Sequence, residues 1–143
     1  MTTVSNWWND LRTFTSKADD EAERRFPNQA RDSSQKNAFR HALGAGRLAQ
    51  LLGANSGIPV LEPAARGLAT LAGYGWEGVT PKNWGSTDMK HDINANSIGI
   101  SKASKTKDFK SLAENLASFS NNARQESPPG VFETARPYFT YTK

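Results

Sequence analysis

The chain contains no cysteine. That excludes disulfides, thiolate metal sites and cysteine nucleophiles, while leaving the compartment open. Long apolar runs are missing as well: every stretch is broken by Gly, Pro or charge well short of the roughly 20 residues a membrane-spanning helix needs. No transmembrane segment is therefore expected. The opening residues, MTTVSNWWNDLR, lack the basic start and apolar core of a signal peptide. Synthesis in the cytoplasm without a cleaved signal is expected, with any export left to a virion or a secretion system. Also missing are a phosphate-cradling glycine motif, a Ser in a nucleophile elbow, a His-Glu-x-x-His zinc helix and any nucleic-acid fold signature.

What is present suits one domain. At 143 residues, the chain is long enough for one core without metal or disulfide staples and too short for two. Its net charge of +4 is mild. The densest basic cluster, Lys102, Lys105, Lys107 and Lys110, has only Phe109 among it and reads as a solvated helix entrance. A nucleic-acid partner is not expected.

Hydrophobic spacing predicts an all-α fold of about five helices. Trp7, Leu11 and Phe14 recur at helical spacing after Ser5, a candidate N-cap. Trp8 lies off that stripe and reads as core, as a membrane-surface anchor or as a partner contact. A charged continuation runs to Pro27, and a polar linker follows in which Asp32 or Ser33 is a candidate cap. The central helix spans about residues 35–52 and is ended by Gly53. Phe39, Leu43 and Gly46 fall on one of its faces and His41, Ala45, Leu48 and Leu52 on the opposite one. Apolar residues on both sides place it inside the molecule, and Ala42, Gly46 and Ala49 permit another backbone to come close. The next helix is read as starting with Pro63 at its first position, with Leu61, Ala65, Leu68 and Leu71 or Ala72 inward. The last helix is capped by Asp108 and turns Phe109, Leu112, Leu116 and Phe119 inward. Residues 1–126 form the helical domain in this reading, and 127–143 an extended tail rich in proline and aromatics.

The chemistry concentrates in TDMKHDINANSIG, residues 87–99. Asp and Asn are poor helix formers, yet Asp88, Asp92 and Asn96 stand at i, i+4 and i+8 and so line one helix face. His91, Ala95 and Ile98 form a neighbouring stripe. Carboxylates four residues apart repel, so a helix N-terminus, an arginine or a cation must offset them. Arg40 and His41 on the central helix and Glu77 at the loosened end of the next helix complete a set able to supply a base, paired carboxylates and a hydrogen-bonding amide. The same side chains could instead form a buried network that fixes helix register.

The segments NAFRHALGAGRLAQLLG, GWE and DMKHDINANSIG, together spanning about residues 37–100, resemble a helical domain found at the C-termini of polymorphic and Rhs-type toxins and in some phage proteins. Its pattern runs Arg-His, then Glu, then Asp-x-x-x-Asn-x-x-Gly. Arg40 and His41 match the first element, Glu77 the second, and Asp92, Asn96 and Gly99 the third. The chain departs from the pattern at Gly44, where Trp is usual, at Trp76, where a His precedes the Glu, and at Ala95, where the first of two asparagines stands. The resemblance implies an effector-like or phage-associated hydrolase acting on peptidoglycan or phospholipid. In that case His41, Glu77 and Asp92 are catalytic, and Arg40, Asn96, Asp88 and His91 support them or bind substrate. If a divalent cation such as calcium takes part, Glu77 and Asp92 are its ligands.

Two further readings stand beside it. YGWEGVTPKNWGSTDMKHD is similar in outline to the calcium loop and His-Asp helix of phospholipases A2. That would make His91 the base and Asp92 a calcium ligand, with carbonyls around Tyr74–Gly78 completing the shell. Alternatively the chain catalyses nothing and is a virion, tail or assembly component, partnered by other virion or secretion-apparatus proteins.

Overall fold

The structure, a computed structural model, describes residues 4–29, 34–76 and 87–126; for 34–35, 71, 73–76, 87–94 and 119–126 it describes the backbone alone. Five helices account for nearly all of this: α1 (Val4–Arg25), α2 (Ser34–Leu52), α3 (Leu61–Trp76), α4 (Thr87–Ala103) and α5 (Phe109–Glu126). No strand occurs among the described residues, and none of their helices is long and apolar enough to cross a membrane. The fold is all-α, as the spacing predicts. The candidate cap at Asp32 or Ser33 and the tail, 127–143, lie outside the described residues.

Helix α2 is the hub and packs against each of the other four. Phe39, Leu43, Ala45 and Leu48, drawn from both of its faces, are all buried. Its end is a complete Schellman motif: Ala54 N–H donates to Ala49 O (2.9 Å) and Gly53 N–H to Gln50 O (3.1 Å). Gly53 takes φ of 108°, a left-handed value that glycine alone adopts without strain.

Pairings along the chain fix the direction of each helix. Helix α1 runs antiparallel to α2, since Trp7 Nε1 donates to Leu51 O (2.7 Å) at one end and Arg40 meets Asp19 (3.5 Å) towards the other. Helix α4 runs roughly parallel to α2. Gly99 lies against Ala42, and Asn55 Nδ2, just past α2, donates to Ser104 O (3.1 Å), just past α4. Gln50 Nε2 reaches Thr106 O, Thr106 Oγ1 and Asp108 O, each at 3.0 Å, and ties the end of α2 to the α4–α5 loop. The starts of α1, α3 and α5 and the ends of α2 and α4 therefore share one pole of the bundle.

The tightest packing is between α2 and α4. A Cβ added to Gly99 would sit 1.8 Å from Ala42 O, and one added to Gly46 would sit 2.6 Å from Gly99 O and 2.9 Å from Leu112 Cδ2. Backbone presses on backbone here, and the small residues Ala42 and Gly46 serve the close approach expected of them. Beneath this contact Leu112 and Leu116 of α5 are fully buried together with Phe39 and Leu43.

Three local expectations are corrected. Helix α1 begins at Val4, so Ser5 lies inside the first turn with helical backbone rather than at the non-helical cap position. Trp7 is half-buried as expected, and Trp8, 55% exposed, keeps the surface-anchor and partner-contact alternatives and loses the core one. Helix α3 opens at Leu61 because Leu61 N–H and Glu62 N–H both turn back to Ile58 O. Pro63 is then the third residue, still within the first turn, where a missing donor is harmless. Among the described side chains of α3 the buried ones are Ala65, as expected, and Ala69, while Leu61, Leu68 and Ala72 are exposed; that of Leu71 lies outside the described residues. Alanines let α3 lie close on α2, and Leu68, about 60° round the helix from Ala65, is left facing water.

Asp108 caps α5 as expected, its Oδ1 accepting from Ser111 N–H at 2.7 Å. That bond holds the carboxyl below the usual carboxylate range. A group whose folded pKa is depressed stabilises above its unfolded pKa and loses that contribution as pH falls through the folded value. Replacing Asp108 by Ala should destabilise by about 1 kcal/mol near neutrality. Thermal melts should show the deficit shrinking in acid, as pH falls below the ordinary aspartate value of about 3.9 and through the lower folded-state value; a deficit independent of pH would contradict the cap. Gly99→Ala should cost at least about 3 kcal/mol, lowering the melting temperature by roughly 10 °C. Gly67→Ala, where a Cβ meets nothing within 4 Å, should instead stabilise by up to about 1 kcal/mol.

Candidate functional site

The polar segment of α4 is positioned by the Gly99 contact. Because α4 rises about 1.5 Å per residue, Asn96 lies about 4.5 Å and Asp92 about 10 Å before Gly99, on the side of the N-terminus of α2. Asn96 is buried, at 4% exposure, and Ala95 and Ile98 beside it are buried too. The backbone confirms that 87–99 is helical, so Asp88, Asp92 and Asn96 share one face. The side chains of Asp88, His91 and Asp92 lie outside the described residues.

His41 is half-buried. The rows of α2 facing α1 (Lys36, Arg40, Arg47) and α4 and α5 (Ala42, Gly46, Gln50) are identified by their contacts. The remaining row, which carries His41, Ala45 and Leu48, is left for α3. The turn between the two helices brings Leu61 against Gly53. From there His41 lies about 18 Å back along α2 and Trp76 about 22 Å along α3. Glu77, the next residue, lies outside the described residues.

Arg40 is turned towards α1. Its guanidinium donates to Asn37 Oδ1 at 2.5 Å and reaches Asp19 Oδ1 at 3.5 Å. Asp19, Asp20, Ala22, Glu23, Lys36 and Arg40 line a cleft of about 220 Å³ between the two helices. Lys36, 3% exposed, is bound by Glu23 and by Gln29 O (3.1 Å). These cations and carboxylates pair with one another, so the cleft reads as the ionic seam of the α1–α2 hairpin rather than as a ligand pocket. Neither Lys36 nor the Asp19–Arg40 pairing was among the residues expected. The signal that points to them is the match between the acidic run at 19–23 and the basic start of α2, which an antiparallel hairpin brings face to face.

Farther along the same seam Asp10 bridges Lys17 (3.1 Å) and Arg47 (3.4 Å). Burial pushes Arg47 down from its ordinary pKa, and the charges of Asp10 and Asp108 oppose the shift. Glu21 is held below the usual carboxylate range by Arg24 first and Arg25 next.

Of the expected site, then, His41 and Asn96 lie within a helical turn of one level near the middle of α2 and α4, while the backbones of Asp92 and Asp88 lie about 9 and 15 Å from that level towards the start of α2. Arg40, next to His41, is directed to the α1 side by its contacts. Among the described residues no group of three or more His, Asp or Glu is gathered as a metal site would require. The phospholipase-like reading depends on His91, Asp92 and the 74–78 backbone, of which only the helical course of 74–76 and of 91–92 is described.

No curated protein and no solved structure matches the chain in the comparisons made. A family model does: Domain of unknown function (DUF6973), over residues 8–127. The matched span takes in all five helices except the first four residues of α1, and the chain therefore belongs to the DUF6973 family.

Proposed function

We propose that this chain is a hydrolase of effector or phage type acting on a cell-envelope component, peptidoglycan or phospholipid. His41 is the general base in this reading. Glu77 and Asp92 are its acid or electrostatic partners, and Asn96 positions substrate or carboxylate. The observation that supports it is the position of His41, half-buried on the central helix and within a helical turn of the level of Asn96 on α4. A base needs its partners within hydrogen-bond reach in the working complex, and in this reading Glu77 and Asp92 come within reach of His41 there. The envelope as target comes from the likeness to toxin and phage domains.

A second reading is favoured by Asn96, whose near-complete burial between α2 and α4 suits a network that specifies helix register. The protein would then be a virion or assembly component with no catalysis. Incubating purified protein with peptidoglycan and with phospholipid vesicles, each with and without chelator, separates the two. Release of soluble fragments or of fatty acid is expected, and His41→Ala or Glu77→Gln should reduce it by a factor of roughly 10² to 10⁴ with the helical circular dichroism retained. No release from either substrate, or unfolding of both variants, contradicts the enzymatic reading. Loss of activity on chelation would assign the carboxylates to a cation.

A further inference from the structure

The pole where α2 and α4 end carries an unusual combination of exposed side chains. Val4 (83%) and Trp8 (55%) stand one turn apart at the start of α1, and Ile58 (53%) and Val60 (83%) stand in the loop between α2 and α3. Their common location is fixed by bonds. Trp7 Nε1 holds the start of α1 to Leu51 O, only two residues before the 53–60 loop. Asn55 Nδ2 in turn joins that loop to Ser104 O. Lys105 and Lys107 follow in the α4–α5 loop and Lys110 in the first turn of α5, all exposed, as is Arg12 one turn beyond Trp8.

The acids at this pole are few and engaged. Asp10 bridges Lys17 and Arg47, Asp108 caps α5, and Glu62 accepts from Gly57 N–H at 3.0 Å. The acidic run of Asp19, Asp20, Glu21 and Glu23 begins about 17 Å farther along α1 than Trp8, beyond the Debye length of about 8–10 Å at physiological salt. This end thus presents exposed apolar and basic side chains beside acids that are mostly engaged, while the longest acidic run lies farther along α1.

We infer that this pole docks on an anionic lipid surface, with Trp8, Val4, Ile58 and Val60 entering the headgroup region and Lys105, Lys107, Lys110 and Arg12 facing the lipid phosphates. Tryptophan is suited to that depth, because its ring is apolar and its N–H finds partners among headgroups. Each basic side chain near such a surface strengthens binding about five-fold. The charge complementarity selects anionic lipid over a neutral membrane. The inference does not depend on catalysis: if the chain is an envelope hydrolase, this end anchors it and leaves the opposite end clear.

The test is co-sedimentation with phosphatidylcholine vesicles containing or lacking 30–40% phosphatidylglycerol (about the range in which surface potential dominates), together with the tryptophan emission of wild type and Trp8→Phe. Binding is expected to the anionic vesicles alone and to weaken with salt. A blue shift should appear in wild type and be reduced in the Phe variant. Lys105→Gln/Lys107→Gln/Lys110→Gln should weaken binding on the order of a hundredfold, and Trp8→Ser/Val60→Ser should weaken it without altering the circular dichroism, since both positions are exposed. Absence of binding to anionic vesicles, equal binding to neutral ones, or binding indifferent to these substitutions would overturn the inference. So would a concentration-dependent dimer abolished by Trp8→Ser in a protein that ignores vesicles, which would assign the surface to a second copy of the chain.

Discussion

Everything in this fold is arranged around the backbone contact between α2 and α4. With Gly99 pressed on the Ala42 carbonyl and Gly46 on Gly99, the two helices lie closer than side chains would permit. Dispersion contacts of main-chain atoms take the place of interdigitated leucines. The consequence reaches in two directions. Inward, Leu112 can seal the floor of the contact only because Gly46 has no side chain. Along the axis, the contact sets the level at which the Asp- and Asn-rich half of α4 stands beside α2, and therefore how near Asn96 comes to the turn that carries His41.

The remaining helices are held by different means, and these divide the molecule into two ends. Helix α1 is fastened to α2 by a seam of charges that includes a buried ammonium, Lys36, satisfied by Glu23 and Gln29 O. Left unpaired at that depth, it would cost several kcal/mol, so the seam specifies the register of the hairpin more than it adds to stability. Helix α3 buries Ala65 and Ala69 and leaves Leu61 and Leu68 outside. Loops and caps gather the other pole, where Gln50 alone reaches three acceptors in the α4–α5 loop. Polar chemistry collects where α2 and α4 begin, and exposed tryptophan, aliphatic and lysine side chains collect where they end.

Much of this was legible in the order of residues, and the failures have causes. The Schellman glycine at 53, the cap at Asp108 and the central place of α2 each follow from local chemistry: a left-handed position, a short acceptor side chain, apolar residues on both faces. The close approach was legible from the α2 side as a run of small residues. Its partner Gly99 was noted only as part of a pattern, because one glycine in a helix does not announce what presses on it. On α3 the spacing points to Ala65 but not to Ala69, and wrongly to Leu61 and Leu68, because a close helix pair selects small side chains over large ones. Of the candidate site, the spacing of Asp88, Asp92 and Asn96 on one helical face was legible. The partner of Arg40 was not, since Asp19 is 21 residues away and only the antiparallel hairpin brings it near.

The account stands on the α2–α4 contact, and nuclear magnetic resonance reports on it directly. In a uniformly labelled sample, nuclear Overhauser cross-peaks are expected between the Gly99 Hα protons and those of Ala42 and Gly46, since main-chain atoms touch there. Strong cross-peaks at these pairs, with the amides of both segments exchanging only on global unfolding, are the predicted result. Their absence in a folded, helical sample would contradict the contact and, with it, the placement of the polar stripe beside His41.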